Sequence, residues 1–240
     1  MATYKDIHGS SIQNVDGNPG NPIAGQFWYD SSISEFKYQD QFVGSSWSTV
    51  AALNTTRYGS GGAGTQSNAI IFGGGAPDKN ETEVWNGSAW TEVNNLNTAR
   101  VQLAGDGTYT SALGFGGATT KNETESWNGT NWTEVNNLNA AKFIGGSSGT
   151  QTSALFYGGA PGPVTASNEL WNGTNWTEVN NLNTAREGNG GAGTDNTTAL
   201  TFGGNKPPPV GAITEEWNGT NWTEVADLAT ARTKMASNGT

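Results

Sequence analysis

The chain of 240 residues has no cysteine and a single histidine, His8. The first absence excludes disulfides, thiolate metal centres and thiol catalysis. The second leaves almost no material for a histidine-based triad or a zinc site. Charge is scarce too, at 13% of residues, and its balance is acidic: 11 Lys and Arg against 21 Asp and Glu give a net charge of −10. Non-specific nucleic-acid binding draws on clustered Lys and Arg, so no nucleic-acid partner is expected. No stretch approaches the roughly 18 apolar residues of a membrane span, so no membrane insertion is expected. The start, Met1-Ala-Thr-Tyr-Lys-Asp-Ile-His8, lacks the apolar core of a signal peptide. Aspartates number eight with no Asp-x-Asp-x-Asp run, so a calcium loop has no basis. Neither a metal nor a cofactor is expected.

What the chain does have is glycine, 35 residues, and tryptophan, ten. A disordered chain would lack those aromatics. They recur with a period. Leu53/Arg57, Leu96/Arg100, Leu138/Lys142, Leu182/Arg186 and Leu228/Arg232 are spaced by 43, 42, 44 and 46 residues at the leucine. Each pair is followed by a Gly-Thr, and the first four then reach an apolar run closing in Gly-Gly (73–74, 116–117, 158–159, 203–204). Two Trp five apart come next: Trp85/Trp90, Trp127/Trp132, Trp171/Trp176 and Trp217/Trp222. A period of this length with several strand signals points to propeller blades.

Each repeat reads as four short strands. The first is rich in Gly and Ala. The second alternates bulk, as in Leu113 and Phe115 against Ala112, Gly114 and Gly116, so its two faces meet different neighbours. Bulky side chains of one blade then fill the hollow left by Gly and Ala on the next. The third and fourth strands flank an Asn-Gly (Asn86-Gly87, Asn128-Gly129, Asn172-Gly173, Asn218-Gly219), which predicts a type I′ hairpin and also accounts for the N-x-Ser/Thr triplets there. An open solenoid of β-hairpins satisfies the same local pattern.

The two ends set the blade count. Complete repeats occupy about 52–94, 95–136, 137–180 and 181–226. Residues 227–240 supply one more first strand. The N-terminal region supplies the other three around 26–29, 35–38 and 46–50, with Trp47 placed 43 residues before Trp90. The reading is an all-β, five-bladed β-propeller over 23–240, closed by a blade built from 23–51 plus 227–240. Closure removes free sheet edges. Residues 1–22, with Pro19 and Pro22, read as an extended docking arm.

Ala69-Ile-Ile-Phe-Gly-Gly74, Glu83-Val-Trp85, Trp90 and Arg100, repeated three times more, resemble kelch repeats. The chain differs from many of these in having Trp for Tyr and five blades instead of six or seven. Some kelch propellers are copper oxidases that need a Cys and several His, which this chain does not supply. Sialidase-like turns carry Asp where this chain has Trp127. The expectation is therefore a protein that is not an enzyme. Pro22-Ile-Ala-Gly-Gln-Phe-Trp-Tyr-Asp-Ser-Ser32 is similar to a segment near the start of tail and fibre-associated proteins of tailed bacteriophages. The Trp-Asn-Gly-Thr-Asn-Trp-Thr-Glu-Val blades resemble kelch-type arrays of marine phages. The resemblance implies a virion-surface protein that meets a host glycan or protein receptor and joins other virion subunits through residues 1–22. A self-assembling or decorating structural protein is the alternative.

Comparison among the repeats separates scaffold from adaptable surface. The Trp pairs, Gly-Gly and Asn-Gly scarcely change; the segment after Gly-Gly changes most. It offers Asp78, Lys79 and Asn80 in the first repeat, Lys121 and Asn122 in the second, and Asn205 and Lys206 in the fourth. Variable loops on a rigid scaffold are where binding usually resides. Arg57, Arg100, Lys142, Arg186 and Arg232 are expected near that same end. They form either a ring for an anionic ligand or salt bridges, with Glu83, Glu125, Glu169 and Glu215 or with Glu92, Glu134, Glu178 and Glu224.

Overall fold

A computed structural model describes residues 13–16, 27–38, 49–75, 77–118, 121–205 and 211–235. The described elements are all strands. The chain divides into two compact units, residues 1–50 and 51–240.

The first unit holds a three-stranded sheet. β2 (Phe27–Asp30) and β3 (Glu35–Tyr38) form an antiparallel hairpin, close to the two strands expected there. β1 (Gln13–Val15) pairs in parallel with the other edge of β2. This differs from the sequence reading in two ways. Part of the expected arm is a strand, and the edge of β2 reserved for the C-terminal strand is taken by β1. Backbone donors and acceptors along an open edge need partners, and the nearer segment supplies them. The hairpin turn is fixed by buried Asp30, whose Oδ1 accepts from the N–H and Oγ of Ser32 and whose Oδ2 lies 3.0 Å from Lys37 Nζ. The fourth strand expected at 46–50 falls mostly outside the described residues.

The second unit contains four antiparallel sheets, each with its strands in chain order. They are β4 (Gly61–Gly64), β5 (Ala69–Phe72), β6 (Thr82–Trp85) and β7 (Trp90–Val93); β8 (Ala104–Thr108), β9 (Ser111–Phe115), β10 (Thr124–Trp127) and β11 (Trp132–Val135); β12 (Gly146–Thr150), β13 (Ser153–Tyr157), β14 (Asn168–Trp171) and β15 (Trp176–Val179); and β16 (Gly190–Ala192), β17 (Ala199–Phe202), β18 (Thr214–Trp217) and β19 (Trp222–Val225). The first strands β4, β8, β12 and β16 neighbour one another in that order. The unit is a propeller-like fan of blades about a common axis. No sheet among the described residues draws strands from both chain ends.

Blade-to-blade packing follows the bulk alternation. Phe72 of the first blade meets Trp132 of the second edge-on, with ring centroids 4.7 Å apart; Phe115 meets Trp176 at 4.9 Å and Tyr157 meets Trp222 at 4.8 Å. The facing strands leave room. A Cβ on Gly105 would stand 2.5 Å from Phe72 Cζ, and one on Gly114 2.8 Å from Phe72 Cε2. Fully burying such aromatics contributes roughly 1.5–3 kcal/mol apiece. The two Trp of each third-to-fourth hairpin lie opposite each other, with centroids 5.4 or 5.5 Å apart.

The hairpin turns depart from the expected type I′. Trp127 pairs with Trp132, which leaves a four-residue loop. Within it Gly129 alone takes positive φ, at 91°, while Asn128 Oδ1 accepts from the N–H of Thr130 and of Asn131. The asparagine side chain performs the turn that a second left-handed residue would otherwise make.

Candidate functional site: the axial opening and its rim

The chain crosses from one blade to the next through the Leu-Asn-Thr-x-Arg segment, and the structure shows what that segment does. Glu125 on β10 accepts from the backbone N–H and the Nδ2 of Asn97 and from the N–H of Thr98, and it pairs with Arg100 at 3.1 Å. Arg100 also donates to the carbonyls of Gly116 and Glu123. The same clasp joins Arg57 to Glu83 at 2.6 Å, Lys142 to Glu169 at 3.2 Å, and Arg186 to Glu215. All four ion pairs are enclosed. Burial lowers the pKa of the Arg100, Lys142 and Arg186 cations, against the opposing pull of their glutamates. For Glu83, burial opposes the charged form, but the N–H groups of Asn54 and Thr55 together with Arg57 outweigh it and lower its pKa.

Of the two expected glutamate sets, the first forms the pairs, and these four cations do not line the axial opening. A buried cation needs a partner, and the third strand offers one in its own blade. Arg232 is different. Its carbonyl accepts from Gly204 N–H as Arg100 does from Gly74, but its side chain is exposed and has no carboxylate partner among the described residues.

The variable loops rise beside the starts of the first strands. Antiparallel bridges Tyr58–Gly75, Val101–Ala118, Phe143–Ala160 and Glu187–Asn205 bind each loop root to the residue after its repeat's Arg or Lys. The loops and the axial opening therefore lie at one end. Asp78 is exposed at the tip, and Lys79 is half-buried. Asn80 and Asn122 are structural: each donates Nδ2 to the carbonyl of Leu96 or Leu138 at 3.1 Å, holding the loop to the crossing segment. Lys121 Nζ lies 3.8 Å from Glu123, and Asn205 exchanges backbone hydrogen bonds with Glu187. Lys206 lies outside the described residues.

Two residues beyond each Arg or Lys landmark, the chain turns left-handed. Gly59, Gln102, Ile144, Gly188 and Lys234 have φ of 61°, 58°, 51°, 61° and 54°. Their backbones link one repeat to the next: Gln102 N–H donates to Gly59, Ile144 to Gln102, Gly188 to Ile144 and Lys234 to Gly188, at 2.6, 3.4, 2.6 and 2.8 Å. These five residues edge a cavity of about 480 Å³ that Tyr58, Ser60, Leu103, Asn189 and Met235 also line. Sequence reasoning missed this row of residues. Its signal was a column that mixes Gly59 and Gly188 with the bulkier Gln102, Ile144 and Lys234 at a fixed offset from the landmark Arg or Lys.

Among the described residues no three His, Cys, Asp or Glu converge in a way that could hold a metal ion, and no helix is long and apolar enough to cross a membrane. No family model matches the chain, and no curated protein matches it.

Proposed function

We propose that the protein is a non-enzymatic recognition module whose ligand is taken at the loop end of the propeller. The observation that carries this reading is the distribution of change among repeats. Clasps, aromatic wedges and hairpins are repeated almost unaltered, while the loops after Gly-Gly and the ring of residues at the axis vary from copy to copy, and all of these lie at one end. A rigid frame presenting variable side chains in one place is the general design of a binding surface. The kelch-like and phage-like sequence features support a tail or fibre-associated virion protein that binds a host surface glycan or protein receptor and meets other virion subunits through residues 1–22.

Five-bladed closure belongs to the same proposal. It is supported by residues 228–235, which repeat the crossing segment a fifth time: Leu228 N–H donates to Ala212, Arg232 to Gly211 and Lys234 to Gly188.

A glycan array and a host-cell binding assay test the reading. Exchanging the loops at 75–80 and 205–212 for the 118–122 loop is expected to abolish binding while leaving the melting temperature within a few degrees. The rival reading is a decorating or self-assembling protein. It draws on the exposed face of the fourth blade, where Leu200 is 37% and Val225 36% accessible. Absence of any binding, with oligomers held by residues 1–22, would establish that rival instead.

A further inference from the structure

The five left-handed residues at the axis are an internal control experiment. The backbone there requires φ near +55°, and two repeats meet the requirement with glycine, which adopts it freely. Three do not. Gln102, Ile144 and Lys234 all hold an unfavourable conformation, and a β-branched residue such as Ile144 at φ 51° is a marked outlier. The fold does not need these side chains, because the linking hydrogen bonds are made by the backbone and Gly188 makes the same bond as Gln102. Strain of this kind is retained where something imposes it, and it collects at ligand sites.

The neighbouring glycines are shaped to the same purpose. A Cβ at Gly59 would lie 3.2 Å from Gln102 Cγ, and one at Gly188 would lie 3.4 Å from Lys234 Cγ and 2.6 Å from Thr233 Oγ1. The bare positions make room for the side chains leaning over them. The result is a cavity of about 480 Å³, within the size range of small-molecule sites. At its edge stand the 61% exposed ring of Tyr58, the amides of Gln102 and Asn189, the aliphatic Ile144 and one ammonium, Lys234, which has no carboxylate partner among the described residues. Asn189 is 6% exposed; its Nδ2 donates to Thr201 Oγ1 at 2.8 Å, and its buried Oδ1 has no hydrogen-bond partner among them.

We infer that this axial mouth binds a single acidic sugar unit. Tyr58 and Ile144 offer apolar surface to the sugar's C–H face, the Gln102 amide serves its hydroxyls, and Lys234 pairs with its carboxylate. A peptide C-terminus would share the contact to Lys234. An extended peptide also needs free backbone donors, and the N–H groups of Gln102, Ile144, Gly188 and Lys234 are already committed to the ring. This inference deepens the recognition reading and rests on it.

The test is the triple variant Gln102→Gly, Ile144→Gly, Lys234→Gly, with Lys234→Gln as the conservative partner. Glucuronate, N-acetylneuraminate, glucose and an acetylated tripeptide with a free C-terminus are titrated by saturation-transfer NMR. At least one acidic sugar is expected to saturate the wild type, and glucose to bind weakly. Lys234→Gln should weaken the acidic sugar about tenfold, and the triple variant should abolish it. Because glycine relieves the strain, the triple variant should melt no lower than wild type, whereas removal of side chains that merely support the fold would lower the melting temperature. The inference is overturned if neither acidic sugar binds wild type, if the triple variant binds unchanged or melts lower, or if the tripeptide binds in their place. Host-cell binding that is lost on loop exchange but kept by the triple variant would sink this inference alone. Cell binding indifferent to both would sink the recognition reading.

Discussion

Asp106 occupies the position on β8 that the other first strands fill with Ala63, Ser148 and Ala192, opposite Leu113, Ile70, Leu155 and Leu200. Unlike the clasp glutamates it has no cation partner among the described residues. Ser147 Oγ donates to its Oδ1 at 3.4 Å, and Oδ2 has no partner among the described residues. Burial pushes its carboxyl up to about 7. The folded state then holds a proton that the unfolded chain has already released, so this residue lowers stability as pH rises from about 4 to about 7 and leaves it level above. Asp106→Ser, the residue of the third repeat, is expected to raise unfolding free energy by about 1–3 kcal/mol at pH 8 and by much less at pH 4.5, read by urea denaturation. Equal gains at both pH values would refute the assignment. Glu83 works in the opposite sense: its depressed pKa stabilises the fold above the ordinary carboxylate range and is lost as acid is added.

At the scale of elements, the joint between blades is a ring wedge plus one hydrogen bond. Trp132 Nε1 donates to Thr82 Oγ1 at 3.0 Å and Trp176 Nε1 to Thr124 Oγ1 at 2.9 Å. The third blade has Asn168 at this position, and Trp222 Nε1 is buried without a partner among the described residues. Asn168→Thr is expected to restore the bond and add about 1 kcal/mol, net of the 3.3 Å bond from Asn168 Nδ2 to Asn180. That gain corresponds to about 2–4 °C in melting temperature for a domain of this size. A lower melting temperature would mean that Asn180 matters more than the indole. These joints were largely legible in the sequence, since period-two bulk in 112–116 and Trp at a fixed offset demand facing hollows. The turns were not. Asn-Gly signals positive φ at glycine but does not give loop length, which the Trp127–Trp132 register decides. The landmark cations were legible as alternatives only, because their burial depends on a glutamate supplied by another strand.

For the whole molecule, the sequence left one question open: how the fan continues past the fourth blade. The period carries through Leu228 and Arg232, and the backbone bonds of Leu228, Arg232 and Lys234 keep to it. Periodicity does not specify which strand pairs with the edge of β2, and a parallel partner from 13–15 was not legible in a segment whose prolines suggested an arm. Leu200 shows the consequence of position in the fan. Its counterparts Leu113 and Leu155 are wholly buried by the next blade, while Leu200 is 37% exposed, and Thr214 Oγ1 is buried without, among the described residues, the indole partner that Thr82 and Thr124 have. The segment 228–235 is held to the fourth repeat by backbone hydrogen bonds. Ending the chain at Ala226 removes four backbone hydrogen bonds: Leu228 to Ala212, Arg232 to Gly211, Gly204 to Arg232 and Lys234 to Gly188. At about 1 kcal/mol each, less the ordering of the segment, the loss is about 2–4 kcal/mol. It should appear as a lower urea midpoint, dye binding at the Leu200 face and self-association on size exclusion. If the truncated chain unfolds like the full chain, the fifth copy of the crossing segment contributes nothing to the fold, and the proposed closure through this end fails with it.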